Sequence, residues 1–177
     1  MKTLVESAKA AKAASLELAR LTTEAKNAAL RAMARALMEK SPEILAANEA
    51  DMQRGREGGM PESLLDRLML NEARIAGMAE GLEQVADLPD PIGRVMDEWT
   101  RPNGLVIRKV RVPMGVIGII YEARPNVTVD AAALAFKAGS AILLRGSSSA
   151  YESNAALVRV MRGALEGCGV TPDAVCL

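Results

Sequence analysis

Two short runs concentrate the polar groups that could do chemistry in this chain. Arg145-Gly146-Ser147-Ser148-Ser149-Ala150 places a guanidinium, a flexible glycine and three hydroxyls at a strand-to-helix junction. Unpaired N–H groups at a helix start carry partial positive charge and hold anions. An arginine beside them adds a forked contact to a phosphate. The same residues also read as plain structure, with capping serines and a solvated arginine. The second run is Tyr121-Glu122-Ala123-Arg124-Pro125-Asn126-Val127-Thr128-Val129-Asp130. It follows an apolar segment whose carboxyl end is where ligands bind in open α/β sheets. Arg124 suits a carboxylate or phosphate, and the Asn126 amide can donate to a developing oxyanion. The structural alternative is that Asn126 caps the next helix while Glu122 pairs with Arg124.

Several chemistries are excluded or unsupported. The chain has no histidine, which removes the commonest metal ligand and the commonest base near neutral pH. A metal centre or a Ser-His-Asp triad is not expected. Cys168 and Cys176 show no metal-ligand spacing and read as reduced thiols of a cytoplasmic protein. Cys168 falls at the end of a predicted helix, where the negative dipole end opposes a thiolate. Cys176 lies in an apolar run and reads as a small buried hydrophobe. The Gly-x-Gly-x-x-Gly dinucleotide loop is absent, since Gly115-x-x-Gly118 is too short and precedes the apolar end of its strand.

The elements that must position these runs are legible in outline. Residues 3–20 are rich in helix formers. Thr22 or Thr23 can cap a second helix carrying the apolar stripe Leu30, Met33, Ala34, Leu37 and Met38. Ser41-Pro42-Glu43 predicts a third helix start with a hydroxyl cap. A short helix is expected near Glu62–Leu68. Another should be capped by Asn71, with Ile75, Met78, Leu82 and Val85 on one face. After Pro91 the pattern changes to extended segments, Val95–Thr100 and Leu105–Val112, joined by Arg101-Pro102-Asn103-Gly104. Asn-Gly between extended runs predicts a hairpin. Gly115–Tyr121 and Ala141–Leu144 read as buried parallel strands. Val127–Ala138 and a segment from Ser147–Ser149 to about Gly167 read as helices, and Ala174–Leu177 reads as a third strand. The result is an α/β fold: helical over 1–90, a hairpin over about 95–112, and the first half of a doubly wound, Rossmann-like sheet over 115–177.

Half of the residues are apolar, and Lys plus Arg balance Asp plus Glu at 22 each. A chain near neutrality lacks the field that draws in nucleic acid or an anionic membrane. No apolar run approaches the length of a membrane span, and the first residues do not resemble a signal peptide.

Residues 111–134, RVPMGVIGIIYEARPNVTVDAAAL, resemble the signature stretch of the gamma-glutamyl phosphate reductase (glutamate-5-semialdehyde dehydrogenase) family. Residues 137–146, KAGSAILLRG, continue the likeness, as do LNEARI at 70–75, Met78 and Gly81. The resemblance covers essentially the whole chain and corresponds to the N-terminal part of the family. It implies an aldehyde dehydrogenase-like fold and NADPH-dependent reduction of L-glutamyl 5-phosphate to glutamate 5-semialdehyde in proline biosynthesis. It implies that Arg145, Gly146, Ser147 and Ser148 meet the cofactor and that Asn126 donates to the oxyanion. Glu122 and Arg124 would border the substrate or nicotinamide. A cysteine thiolate attacks the acyl phosphate in that family, and the resemblance places this nucleophile beyond residue 177, with the catalytic domain. One departure is that Ser147-Ser148-Ser149-Ala150 lacks the acid expected before the helix. The alternatives are a non-catalytic nucleotide-binding or interaction domain, or a dehydrogenase of another acyl donor. A homo-oligomer using the hairpin and a glutamate 5-kinase partner are further expectations.

Overall fold

A computed structural model describes residues 3–177. Five helices come first: α1 (Leu4–Leu18), α2 (Thr23–Glu39), α3 (Ser41–Glu57), α4 (Glu62–Leu68) and α5 (Glu72–Asp87). The antiparallel strands β1 (Val95–Thr100) and β2 (Val106–Val110) follow. Then come β3 (Val116–Ile120), α6 (Pro125–Lys137), β4 (Ala141–Arg145), α7 (Tyr151–Gly167) and β5 (Val175–Cys176). The sheet is parallel with order β3-β4-β5, as the alternation of apolar runs and helices predicts. But β3 is not the buried strand expected: it lies at the sheet edge, none of its residues is buried, and Ile120 is 87% exposed.

Local signals explain most boundaries. Thr3 and Glu6 form a reciprocal capping box on α1, which satisfies two donors at the helix start. Thr22 caps α2 and Asn71 caps α5 through their side-chain oxygens. The expected hydroxyl cap of α3 is wrong: the cap position is Lys40, with no side-chain bond, and Ser41 is already helical. Pro42 and Glu43 still favour the start through the proline φ and the helix dipole. In the stripe on α2, Leu30, Met33 and Leu37 are fully buried, whereas Met38 is about half exposed. The third strand is shorter than expected, because Pro172–Ala174 form a 3-10 turn before Val175.

The main core cluster joins the helical part to the sheet, and a smaller one holds Met52, Leu65, Leu68 and Ala150. Phe136, the sole phenylalanine, is buried in the main cluster with Leu18, Met33 and Ile142. Two lysines inside this core close helix ends. Lys137 Nζ donates to Ala86 O (2.8 Å) and Asn27 Oδ1 (2.6 Å), and Lys26 Nζ donates to Lys137 O (3.3 Å) while pairing with Asp90. A buried ammonium is tolerable only when paired and hydrogen-bonded, so these contacts lock α2, α5 and α6 together. The β1–β2 hairpin is different, because every residue of β1 is exposed, including Trp99.

Candidate functional site

Parallel pairing sets the site. Ile119 pairs with Leu144 and Ile120 with Arg145, so β3 and β4 end level. The Tyr121 N–H donates to Arg145 O at 3.1 Å. The two polar runs, about twenty residues apart in sequence, therefore leave the sheet side by side at its carboxyl edge, the position where open sheets bind ligands.

A buried hydrogen-bond chain fixes them. Thr128 Oγ1 donates to Asn154 Oδ1 at 2.9 Å and lies 2.7 Å from the Tyr121 hydroxyl. Thr128 has a single hydroxyl hydrogen, already given to Asn154, so Tyr121 is the donor in the second bond. Burial raises the Tyr121 phenol above its ordinary range, while the bond to Thr128 opposes the shift. Gly146 sits against this chain. A Cβ there would lie 2.3 Å from Asn154 Nδ2 and 3.1 Å from the Tyr121 ring. Close approach, rather than an unusual backbone angle, therefore demands glycine.

The start of α7 departs from the simple anion-site reading. A 3-10 turn, Ser148–Ala150, precedes the helix, and Ser147 Oγ accepts from Ser149 N at 3.3 Å. The first free N–H groups of α7 are already taken. Asp51, fully buried on α3, accepts from Ser153 N and Oγ, both at 2.7 Å, and from Glu152 N at 3.3 Å. Asn48 joins the same cluster through Ser153 Oγ and also accepts from Leu70 N at 2.8 Å. A carboxylate from within the chain thus occupies the positive end of α7. Any contact of this loop with a cofactor falls to the exposed groups, Arg145 and Ser148. Arg145 itself donates to Gly146 O at 2.7 Å. None of Arg145, Gly146, Ser147 or Ser148 lines the neighbouring cleft of about 620 Å³ that runs along α7 from Tyr151 to Glu166 and reaches Leu177.

The run after β3 opens instead onto a cleft of about 510 Å³ between the α4–α5 turn and α6. Arg67, Arg74, Arg124, Asp66, Asn126 and Asp130 line it. Glu122 ion-pairs with Arg124 Nε at 3.0 Å and accepts from Arg67 at 3.2 Å. The pairing of Glu122 with Arg124 is therefore present. The Arg124 Nε contact is out of line for a hydrogen bond. Asn126 does not cap α6: Arg124 is the cap residue, Pro125 begins the helix, and no side chain bonds the first turn. The Asn126 amide reaches only Asp130, at 3.4 Å. Burial raises the Asp130 carboxyl above its ordinary range, opposed by that amide. Sequence reading missed Arg67, Arg74 and Asp66 as neighbours of this run. Helix periodicity placed α4 and α5 but carried no sign of what their joining turn would face.

The cysteines lie elsewhere. Cys168 is exposed at the end of α7, and Cys176 is buried with its thiol 3.5 Å from Asp173 O. No group of three or more possible metal ligands occurs among the described residues, and no described helix is long and apolar enough to cross a membrane.

Comparison with known proteins gives a consistent family. No family model matches the chain. Among curated proteins it is 54% identical over 175 residues to gamma-glutamyl phosphate reductase of Anoxybacillus flavithermus, covering 99% of this chain and 42% of that protein. It superposes on the crystal structure of gamma-glutamyl phosphate reductase from Thermotoga maritima with a TM-score of 0.97 at 47% identity, covering 99% of this chain and 42% of that one. A probable aldehyde dehydrogenase from Listeria monocytogenes shares the fold at 17% identity, with a TM-score of 0.70 over 97% of this chain and 35% of its own. The chain thus spans about two fifths of the length of the relatives it matches. By sequence and fold it matches the N-terminal part of gamma-glutamyl phosphate reductase, and its architecture is aldehyde dehydrogenase-like.

Proposed function

We propose, from the match to gamma-glutamyl phosphate reductases, that this chain forms the cofactor-side part of an enzyme making glutamate 5-semialdehyde from L-glutamyl 5-phosphate in proline biosynthesis. The observation that carries the reading is the juxtaposition of the Tyr121–Asp130 and Arg145–Ser148 runs at one sheet edge, in a chain that keeps the family's sequence over nearly its whole length.

NADPH is the cofactor in this reading, and it supplies hydride when bound. The residues present fit its adenosine end: an exposed guanidinium at Arg145 for a phosphate, the Ser148 hydroxyl for a ribose, and a closed, glycine-dependent loop that holds both in place. Ser147 supports Ser149 within the loop, and Gly146 acts through packing. Asn126 is the oxyanion donor. Its amide is exposed on the face of α6 that lines the 510 Å³ cleft, held by one long contact and so able to turn to a ligand oxygen. Glu122 orients Arg124 and Arg67 at the mouth of that cleft.

The nucleophilic cysteine lies outside residues 1–177 in this reading, and the chain alone binds cofactor without turnover. The protein acts in the cytoplasm and receives its labile acyl phosphate from a glutamate 5-kinase. The exposed hairpin, with Trp99, Val106 and Val110 open to solvent, joins copies into a homo-oligomer, and sedimentation of Trp99→Glu shows smaller particles than the parent.

The test combines binding and turnover. The chain binds NADPH in a fluorescence titration. The product of the coding sequence read past codon 177 to its stop reduces NADP⁺ with glutamate 5-semialdehyde only when phosphate is present, and a downstream Cys→Ala change abolishes this. A stop directly after codon 177, with NADPH binding retained, supports a non-catalytic nucleotide-binding domain. Absence of NADPH binding refutes the cofactor-side reading.

A further inference from the structure

We propose that Asp130 is the receptor for the α-ammonium of an α-amino acid ligand in the cleft between the α4–α5 turn and α6. The inference rests on the reductase reading for the identity of the ligand. Its evidence lies in how the charges of the cleft are paired.

Three arginines and two carboxylates line this cavity of about 510 Å³, a size suited to a small metabolite. Most of these charges already have partners. Arg74 binds Asp66 at 2.8 Å and also donates to Met69 O at 2.8 Å, which closes the α4–α5 turn. Arg67 and Arg124 share Glu122. Asp130 stands apart: among the described residues no arginine or lysine pairs with it, although three arginines line the same cavity. Its one hydrogen bond is the long contact from Asn126. The Asp130 side chain is exposed on the wall of the cleft, and a cation arriving there would be its first counter-charge.

Helix geometry then selects the cation. Asn126 and Asp130 are four residues apart, so their side chains stack on one face of α6, and Asn126 Nδ2 lies 3.4 Å from Asp130 Oδ2. In a glutamyl group two methylenes separate the acyl carbon from the ammonium-bearing carbon. A ligand whose acyl oxygen meets Asn126 therefore carries its ammonium to Asp130. The facing wall leaves room for it. Gly77 of α5 lines the cavity, and a Cβ added there would meet no atom within 4 Å.

The experiment is a pair of NMR titrations of the isotopically labelled chain. L-Glutamine serves as a stable stand-in for the acyl phosphate, and glutaramate is the same molecule without the amine. The expected result is a preference for glutamine of about three- to fivefold, as for an exposed ion pair. Asp130→Asn, which keeps the shape and an exposed polar group, removes the preference. Gly77→Leu fills the cavity and weakens both ligands, while its helix propensity favours the fold. Equal affinity for the two ligands, no binding of glutamine, or a preference that survives in Asp130→Asn overturns the proposal. NADPH titrated in parallel probes the reductase reading separately. Failure there with the ammonium preference intact removes that reading and leaves the receptor role of Asp130 standing.

Discussion

Replacing Gly146 with alanine is the sharpest perturbation this fold offers. The backbone at Gly146 is not in the left-handed region, so alanine brings no φ penalty. Its methyl group would instead lie 2.3 Å from Asn154 Nδ2 and 3.1 to 3.2 Å from two Tyr121 ring atoms. Asn154 is buried and tied to Thr128, so relief requires moving a bonded amide. Overpacking costs about 1–3 kcal/mol, and a buried polar group left unbonded costs about 1–3 kcal/mol more. A loss of about 3 kcal/mol is expected, equivalent to roughly 6–12 °C in Tm for a chain of this size. Urea denaturation of Gly146→Ala, Asn154→Ala and the double variant measures it. Asn154→Ala removes the clashing atom, so the double variant should be more stable than the summed single losses by at least about 1 kcal/mol. A Gly146→Ala protein within about 0.5 kcal/mol of the parent, or strict additivity, would refute the close-approach argument. Gly146 would then have to owe its place to the ligand.

Asp51→Ala should lower stability by about 3 kcal/mol in urea, because it strips the buried start of α7 of its acceptor; Asp51→Asn, keeping one oxygen, should lose less. Arg145→Ala should weaken NADPH binding about tenfold or more in a fluorescence titration, with thermal stability unchanged within about 0.5 kcal/mol, since the side chain is exposed. Acid stability should depend on Asp90. Burial alone would raise its carboxyl, yet Lys26, the Ile92 N–H and the Thr23 hydroxyl hold it below the ordinary value of 3.8. A depressed folded pKa means stability that is complete above the unfolded value and is lost as pH falls through the folded one. Urea midpoints of the parent should therefore drop below about pH 4. Asp90→Asn should be less stable at neutral pH, with Lys26 left buried and unpaired, and its midpoint should fall less steeply in that acid window.

Much of this protein was legible in its sequence, because the signals are local. Capping by Asn71, the glycine turn at Gly104 and the apolar runs of β3 and β4 each depend on a few neighbouring residues. The family likeness around residues 111–146 was equally open to reading, as was the absence of histidine. Where a local signal failed, the placement of the element in the fold decided the outcome. Met38 belongs to the stripe by periodicity, but the end of α2 leaves it in solvent.

The composition of the site was decided in three dimensions. Nothing near Tyr151 indicates that Asp51, a hundred residues earlier, would take the N–H groups at the start of α7 that a phosphate would use. Nothing near Asp130 indicates that the arginines across the cleft would be claimed by Asp66 and Glu122. Sequence assigns which groups a chain carries, through residue type and local periodicity. Which charges are paired, and which one is left facing a cavity, follows from long-range packing, because only the folded chain brings groups remote in sequence within reach of one another.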